Sequence, residues 1–284
     1  MFYADATQEQ ILFFQCNGYL VVENIVDPLD LVIAEERIRY VASNPNDFSA
    51  LDWAWDSGSL EERKFHIIQA GLTPIWPDAE NMNWRIWAIR FSGQLMGFDV
   101  EFWYDQILAK PPGHGARTPW HQDEPYWSIE GYDACTLWMP LVPVKQKNCL
   151  SFVPGSHLFK SVFNQKNFGE LTGNPKDQVD FSEIAEQEFP DIKADPERFG
   201  VVSWDMRPGD CIAFNGRTMH GGSGKLDNDR DLRVFTTKWL GDDARIKFRN
   251  CGMDPDFSSL MIEKGLKSGD RPDTDLYPQI WKRS

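Results

Sequence analysis

The sequence predicts a mainly β fold, a sandwich or barrel, with α-helices packed at its N-terminal edge. Three observations carry that expectation. From 99 to 240 the chain reads as short apolar strands separated by Pro-Gly turns, the pattern of an all-β layered fold. The first 44 residues instead hold two amphipathic helical patterns. The 284 residues are 42% hydrophobic, with 12 Trp and 19 Phe, enough for a sizeable core. A β-rich barrel absorbs such a length as one domain, spanning 1–284.

Thr7-Gln8-Glu9-Gln10 has the form of a capping box, with Thr7 at the N-cap and Gln10 three residues on. The helix it opens draws its apolar side from Ile11, Leu12, Phe13 and Phe14, and Gly18 ends it. A short strand follows at 19–22. Asp27-Pro28 starts a second helix with proline at its first position, running through Leu31, Val32, Ala34, Ile38 and Val41 until Asn44-Pro45 stops it. The N-terminal helices thus occupy about 7–44. Residues 46–80 mix Trp53, Trp55 and Trp76 with acids in an irregular stretch, read either as a lid over a pocket or as a peripheral loop. A third helix is expected over 81–96. Strands are then expected at 101–104, 106–110, 135–141, 150–153, 211–214 and 233–240, forming a barrel core over about 99–240. The polar tract from about 158 to 200 reads as an insertion between strands, and the acidic tail after Gly241 as mostly loop.

Composition excludes several functions. A formal net charge of −14 argues against a nucleic-acid or anionic-membrane partner, both of which call for a basic surface. The five cysteines, Cys16, Cys135, Cys149, Cys211 and Cys251, are odd in number, widely spaced and without a CxxC pair. Reduced thiols in a cytoplasmic setting are the expectation, not a disulfide framework or a zinc knuckle. The first residues lack a basic stretch followed by an apolar run, no window approaches a membrane span, and no repeat is visible.

The chemistry centres on Pro119-Trp120-His121-Gln122-Asp123-Glu124-Pro125. Residues two apart on an extended strand share a face, so His121 and Asp123 present an imidazole and a carboxylate side by side. These are two of the three ligands of a 2-His-1-carboxylate facial triad, which suits Fe(II) and leaves one face of an octahedron open. His220, in Thr218-Met219-His220-Gly221-Gly222, is the best candidate for the third. If the electron source of such an iron site is 2-oxoglutarate, its distal carboxylate needs a cation, and arginine suits it with two parallel donors. Arg233 opens the apolar strand after His220 and is favoured over Arg230, which lies in the polar loop Asp227-Asn228-Asp229-Arg230-Asp231.

His121-Gln122-Asp123, the turn Val153-Pro154-Gly155-Ser156-His157, and His220-Gly221 followed by Arg233 together resemble the phytanoyl-CoA dioxygenase family, over roughly residues 8–245. The resemblance implies a double-stranded β-helix (jelly roll) with the N-terminal helices outside, and a non-haem Fe(II), 2-oxoglutarate-dependent oxygenase that uses O2. It implies His121, Asp123 and His220 as metal ligands and Arg233 as the anchor of 2-oxoglutarate. Gln106, Thr136 and Ser223 would also hydrogen-bond the cosubstrate, and Trp127 would line the iron pocket. His157 is expected to stabilise its turn, and His66 and His114 not to be ligands. The chain departs from many relatives at Leu232, where a second basic residue is usual.

The expected activity is oxidation, foremost hydroxylation, of an unactivated C–H bond of a small molecule, with release of succinate and CO2. Asp123 favours hydroxylation, since halogenases of this fold lack the carboxylate; desaturation, epoxidation and ring closure remain open. Trp53, Trp55, Trp76, Trp120, Tyr126 and Trp127 suggest an aromatic pocket for an apolar, polycyclic or cationic substrate. Two competing classes are a non-catalytic 2-oxoglutarate- or metal-binding protein and a cupin-like metalloenzyme that does not use 2-oxoglutarate.

Overall fold

The structure, a computed structural model, describes residues 1–43, 53–56, 66–69, 83–110, 112, 118–159, 161–164, 187–222, 231–249, 257–272 and 279–281. Its helices of six or more residues among these are α1 (Gln8–Asn17), α2 (Pro28–Ser43), α3 (Asn83–Met96) and α4 (Ser258–Glu263). The strands are β1 (Tyr19–Val22), β2 (Trp53–Asp56), β3 (His66–Gln69), β4 (Val100–Lys110), β5 (Ile129–Glu130), β6 (Ala134–Pro140), β7 (Leu150–Phe152), β8 (Cys211–Asn215), β9 (His220–Gly222), β10 (Leu232–Leu240), β11 (Arg245–Ile246) and β12 (Gln279–Trp281).

The capping box forms as the sequence predicts. The Thr7 hydroxyl accepts from the Gln10 amide at 3.2 Å, and the Gln10 side chain accepts from the Thr7 amide at 2.9 Å. Gly18 closes α1 at φ 76°, and its amide donates to the Phe14 carbonyl. Of the four consecutive apolar residues in α1, only Phe14 is buried; Leu12 and Phe13 are exposed. Four residues make more than a full helical turn, so one helix face cannot hold them all.

The main sheet runs β1-β8-β6-β10-β4-β3-β2, with β12 also on β4, and every pair is antiparallel. One face is covered by α3, whose Trp84 meets Phe235 edge-on at 4.8 Å between ring centroids. Trp87, Phe91, Leu95, Phe102, Phe235 and Trp239 belong to that apolar cluster. The other face carries Trp138, Phe152, Phe214 and Val234 in a second cluster. The β7-β9 pair supplies Phe152 to this second face, and His121 bridges to β9. Together these make the jelly-roll arrangement of two facing antiparallel layers. The described strands do not close into a continuous barrel.

Several elements differ from the sequence reading. The two strands expected at 101–104 and 106–110 are one strand, β4. Residues 53–56 and 66–69 of the irregular aromatic stretch are strands β2 and β3, extending the main sheet beyond β4. Trp76 lies outside the described residues. The tail contains β11, α4 and β12; Phe257 and Met261 pack with Trp103, Tyr104 and Trp127. Of the expected insertion, 187–200 is described as turns, with Ile192 buried against Val153 and Met219. Cys16 is exposed and Cys135, Cys149 and Cys211 are buried, all four as free thiols; Cys251 lies outside the described residues. Among the described residues, no helix is long and apolar enough to cross a membrane.

Candidate metal centre

His121 and His220 meet through their backbones. The His121 amide donates to the His220 carbonyl at 2.8 Å, and the His220 amide returns the bond at 2.9 Å. The two imidazole centroids lie 4.1 Å apart. Each ring is tethered in the same way: Nδ1 of His121 donates to the Pro119 carbonyl, and Nδ1 of His220 to the Thr218 carbonyl, both at 2.8 Å. A carbonyl oxygen can only accept, so Nδ1 carries a proton and Nε2 is the ring atom turned toward the site.

Both Nε2 atoms face the same carboxylate oxygen. Asp123 Oδ1 lies 3.4 Å from His121 Nε2 and 3.5 Å from His220 Nε2. Asp123 Oδ2 accepts a hydrogen bond from the Thr136 hydroxyl at 3.0 Å, and the Asp123 amide is held by the Gly216 carbonyl at 2.8 Å. The candidate ligand atoms of the three residues all lie within 4.8 Å of one another. Aromatic rings surround the donors: Phe214 and Phe152 lie 4.6 and 5.7 Å from the His220 ring, and Tyr126 meets His121 edge-on at 5.8 Å.

Burial sets the protonation states. It pushes the His121 imidazole toward the neutral form, and His220 pushes the same way. Burial alone would raise the Asp123 carboxyl, but the two imidazoles, His220 foremost, outweigh it and hold the carboxyl well below the usual range. An ionised carboxylate is the donor form a divalent cation requires of Asp123.

The geometry fits a metal. Three lone-pair donors converge at separations too long for a good hydrogen bond. They are close to the roughly 3 Å edge of an octahedron with bonds of about 2.1 Å. Two imidazoles and one carboxylate, with no described sulfur ligand among them, match a non-haem Fe(II) site.

The next shell of contacts is also built. Glu124 is 1% exposed, with Arg249 Nη2 at 3.2 Å and Arg217 Nε at 3.5 Å. Burial raises its carboxyl pKa, against the pull of Arg217 and Arg249. Gln122 is fully buried and donates to the Arg217 carbonyl at 3.0 Å. Nothing in the spacing of these residues announced them, because each is read only through its tertiary partner.

Other residues singled out in the sequence fall differently. Arg233 is not brought to this site. It projects from the α3-covered face of β10 and pairs with Glu35 of α2 and, at 3.1 Å, with Asp231. Strand alternation is the reason: Phe235 and Trp239, on its side of β10, pack under α3. Thr136 reaches the site, but its one hydroxyl proton goes to Asp123, so it positions the carboxylate and has none left to donate to a cosubstrate. Trp127 is 1% exposed in a cluster with Trp103, Tyr104 and Tyr126, where its indole donates to the Tyr104 hydroxyl at 2.8 Å. Gln106 sits in β4, opposite Thr236 of β10. Ser223, Arg230 and His114 lie outside the described residues. His157 Nε2 donates to the Gln15 carbonyl at 3.0 Å, fastening its turn to α1.

Solved structures share this architecture. That of the non-haem alpha ketoglutarate dependent carbocyclase SnoK from nogalamycin biosynthesis superposes with a TM-score of 0.68 at 18% identity, covering 99% of each chain. The epimerase SnoN in complex with Fe3+, alpha ketoglutarate and nogalamycin RO superposes at 0.66 and 17% identity, covering 95% of this chain and 96% of that one. Fold and donor set together define a non-haem iron, 2-oxoglutarate-dependent oxygenase. Among curated proteins, the ectoine dioxygenase of Sphingopyxis alaskensis is 24% identical over 236 residues, 78% of this chain and 72% of that protein. The chain belongs to the phytanoyl-CoA dioxygenase (PhyH) family, whose sequence profile matches residues 14–230.

Proposed function

We propose that His121, Asp123 and His220 hold the Fe(II) of this oxygenase and that the enzyme oxidises an unactivated C–H bond of a small molecule, foremost by hydroxylation. Iron, 2-oxoglutarate and O2 supply that oxidation, releasing succinate and CO2. The chain's own residues prepare the place for it. The tethered Nδ1–H groups aim both Nε2 atoms at one point, and Thr136 fixes the carboxylate. The rings of Phe214, Phe152 and Tyr126 exclude water from the imidazoles. The observation that carries the reading is the convergence of two imidazole Nε2 atoms and one carboxylate oxygen on one point.

Substrate access is assigned to a cleft of about 200 Å³ beside β9, lined in part by Thr118, Trp120, Asp191, Ile192, Lys193 and Gly222. The mixture of an indole face, an acid and a lysine suits a small molecule with both apolar and polar parts. The placement of buried, unpaired thiols agrees with work in a reducing cytoplasm.

The test is anaerobic addition of Fe(II) and 2-oxoglutarate. The native protein is expected to develop a weak visible charge-transfer band and, on admitting O2, to form succinate. Asp123→Ala is expected to lose both. An Asp123→Ala protein that keeps the band and full turnover would remove Asp123 from the ligand set.

A further inference from the structure

Asp123 does not stand on a strand. It opens the short 3-10 turn Glu124–Tyr126, and its carboxylate faces the imidazoles and makes no capping bond to that turn. Such a turn has poorer internal hydrogen bonds than an α-helix. A ligand carried on one needs support from outside, because a working site tolerates only about 0.5 Å of misplacement. One support comes from the connection between β8 and β9. The Gly216 carbonyl accepts from the Asp123 amide at 2.8 Å and from the Glu124 amide at 3.1 Å, and Arg217 Nε lies 3.5 Å from Glu124 Oε2.

The second support comes from the tail. Strand β11 pairs with β5, Arg245 opposite Glu130 and Ile246 opposite Ile129. The Lys247 amide continues this run by donating to the Ser128 carbonyl at 2.9 Å. Arg249 is thereby delivered to the metal-bearing turn. Its Nε donates to the Trp127 carbonyl at 3.3 Å, and its Nη2 donates to the Ile129 carbonyl at 3.0 Å and to Glu124 Oε1 at 3.2 Å. One planar fork grips both ends of the turn, Glu124 at its first position and Trp127 just past its last. The side chain of Arg249 is 11% exposed and that of Glu124 2%, so solvent ions screen the pair little. The family profile ends at residue 230, and this support is supplied by chain beyond it.

We propose that Arg249 is a positioning residue of the metal centre: through Glu124 and the two carbonyls it sets where the turn places Asp123 relative to His121 and His220. The assignment rests on the reading of those three residues as ligands. Glu124 is the joint. Its two oxygens face guanidinium groups from two segments, Arg249 of the tail and Arg217, which stands three residues before His220. The turn that bears the carboxylate ligand and the turn that leads to the last imidazole are both referred to this one side chain.

The experiment measures Fe(II) affinity anaerobically by competition with a chelator, beside a melting curve for each variant. Arg249→Met is expected to bind Fe(II) about 10–100-fold more weakly than the native protein, the range typical for loss of a partner that orients a ligand. Phe235→Leu, which loosens the apolar layer under α3, is the control: it lowers the melting temperature and keeps native affinity. Arg249→Lys keeps a charge facing Glu124 without the fork; its affinity is expected to fall between, and it stands in if the methionine variant does not fold. Glu124→Gln combined with Arg249→Met is expected to weaken Fe(II) by less than the product of the two separate factors, since the residues act together. Native affinity in Arg249→Met or Arg249→Lys overturns the assignment, as does an equal loss in Phe235→Leu, which would make the effect one of general loosening. Fully multiplicative factors overturn the route through Glu124. If Asp123→Ala binds Fe(II) as tightly as the native protein, the ligand reading itself falls and the assignment with it.

Discussion

Thr136 shows how a single hydroxyl orders a site. It stands on β6, its side chain is buried, and its proton goes to the Asp123 oxygen that does not face the imidazoles. Thr136→Val keeps the β-branched shape and removes only that bond. Partners that orient a ligand are worth about 10–100-fold in metal affinity. The variant is therefore expected to bind Fe(II) about that much more weakly with its thermal stability nearly intact, measured by competition with a chelator and by a melting curve. The His121–Asp123 pair was legible in the sequence as an imidazole and a carboxylate two residues apart, although only His121 makes a strand-like bridge and Asp123 is αR at the start of a short 3-10 turn. Thr136 was singled out only through the family resemblance, as a donor to the cosubstrate and not as the partner of Asp123. What it touches depends on how β6 is laid beside the His-x-Asp segment, which no local pattern specifies.

At the scale of elements, β10 separates what the sequence made legible from what it did not. Its existence was plain from its apolar run, and the structure extends it by one residue to Leu232–Leu240. Which of its sides faces the donors was not plain. Val234 and Phe235 are both fully buried, one in each apolar layer, so hydrophobic alternation is erased. Strands covered on both faces always lose this signal. With parity unreadable, the arginine at 233 was weighed only against Arg230 in the preceding loop, and its pairing with Glu35 of α2 could not be foreseen. The same double burial makes β10 sensitive to truncation. Phe235→Ala opens a cavity beneath Trp84 of α3, and is expected to cost about 3–5 kcal/mol in denaturant unfolding. Strands β2 and β3 went unread for a different reason: they are four residues each and separated by polar stretches, too short for periodicity to accumulate.

For the whole molecule, charge is the dominant global property, and it is concentrated locally. The −14 formal charge includes a cluster in which Asp133 lies near Asp242 and Asp243. Burial, then repulsion from Asp243 and Asp242, raises the Asp133 carboxyl to about 7, although Arg217 opposes the shift. The folded protein therefore holds this proton more tightly than the unfolded chain does. Stability from this group is fully present below the ordinary aspartate range and is lost as pH rises through about 7. Asp133→Asn is expected to flatten that decline, melting above the native protein at pH 8 and little changed at pH 4, as read by melting temperature across that range. The bridge between His121 and His220 bears on the molecule's history as well as its shape. During synthesis the first two donors emerge while the strand carrying the third has yet to be made. A growing chain thus has no complete claw with which to seize an ion. The three-donor set is therefore assembled only once β9 has docked beside His121.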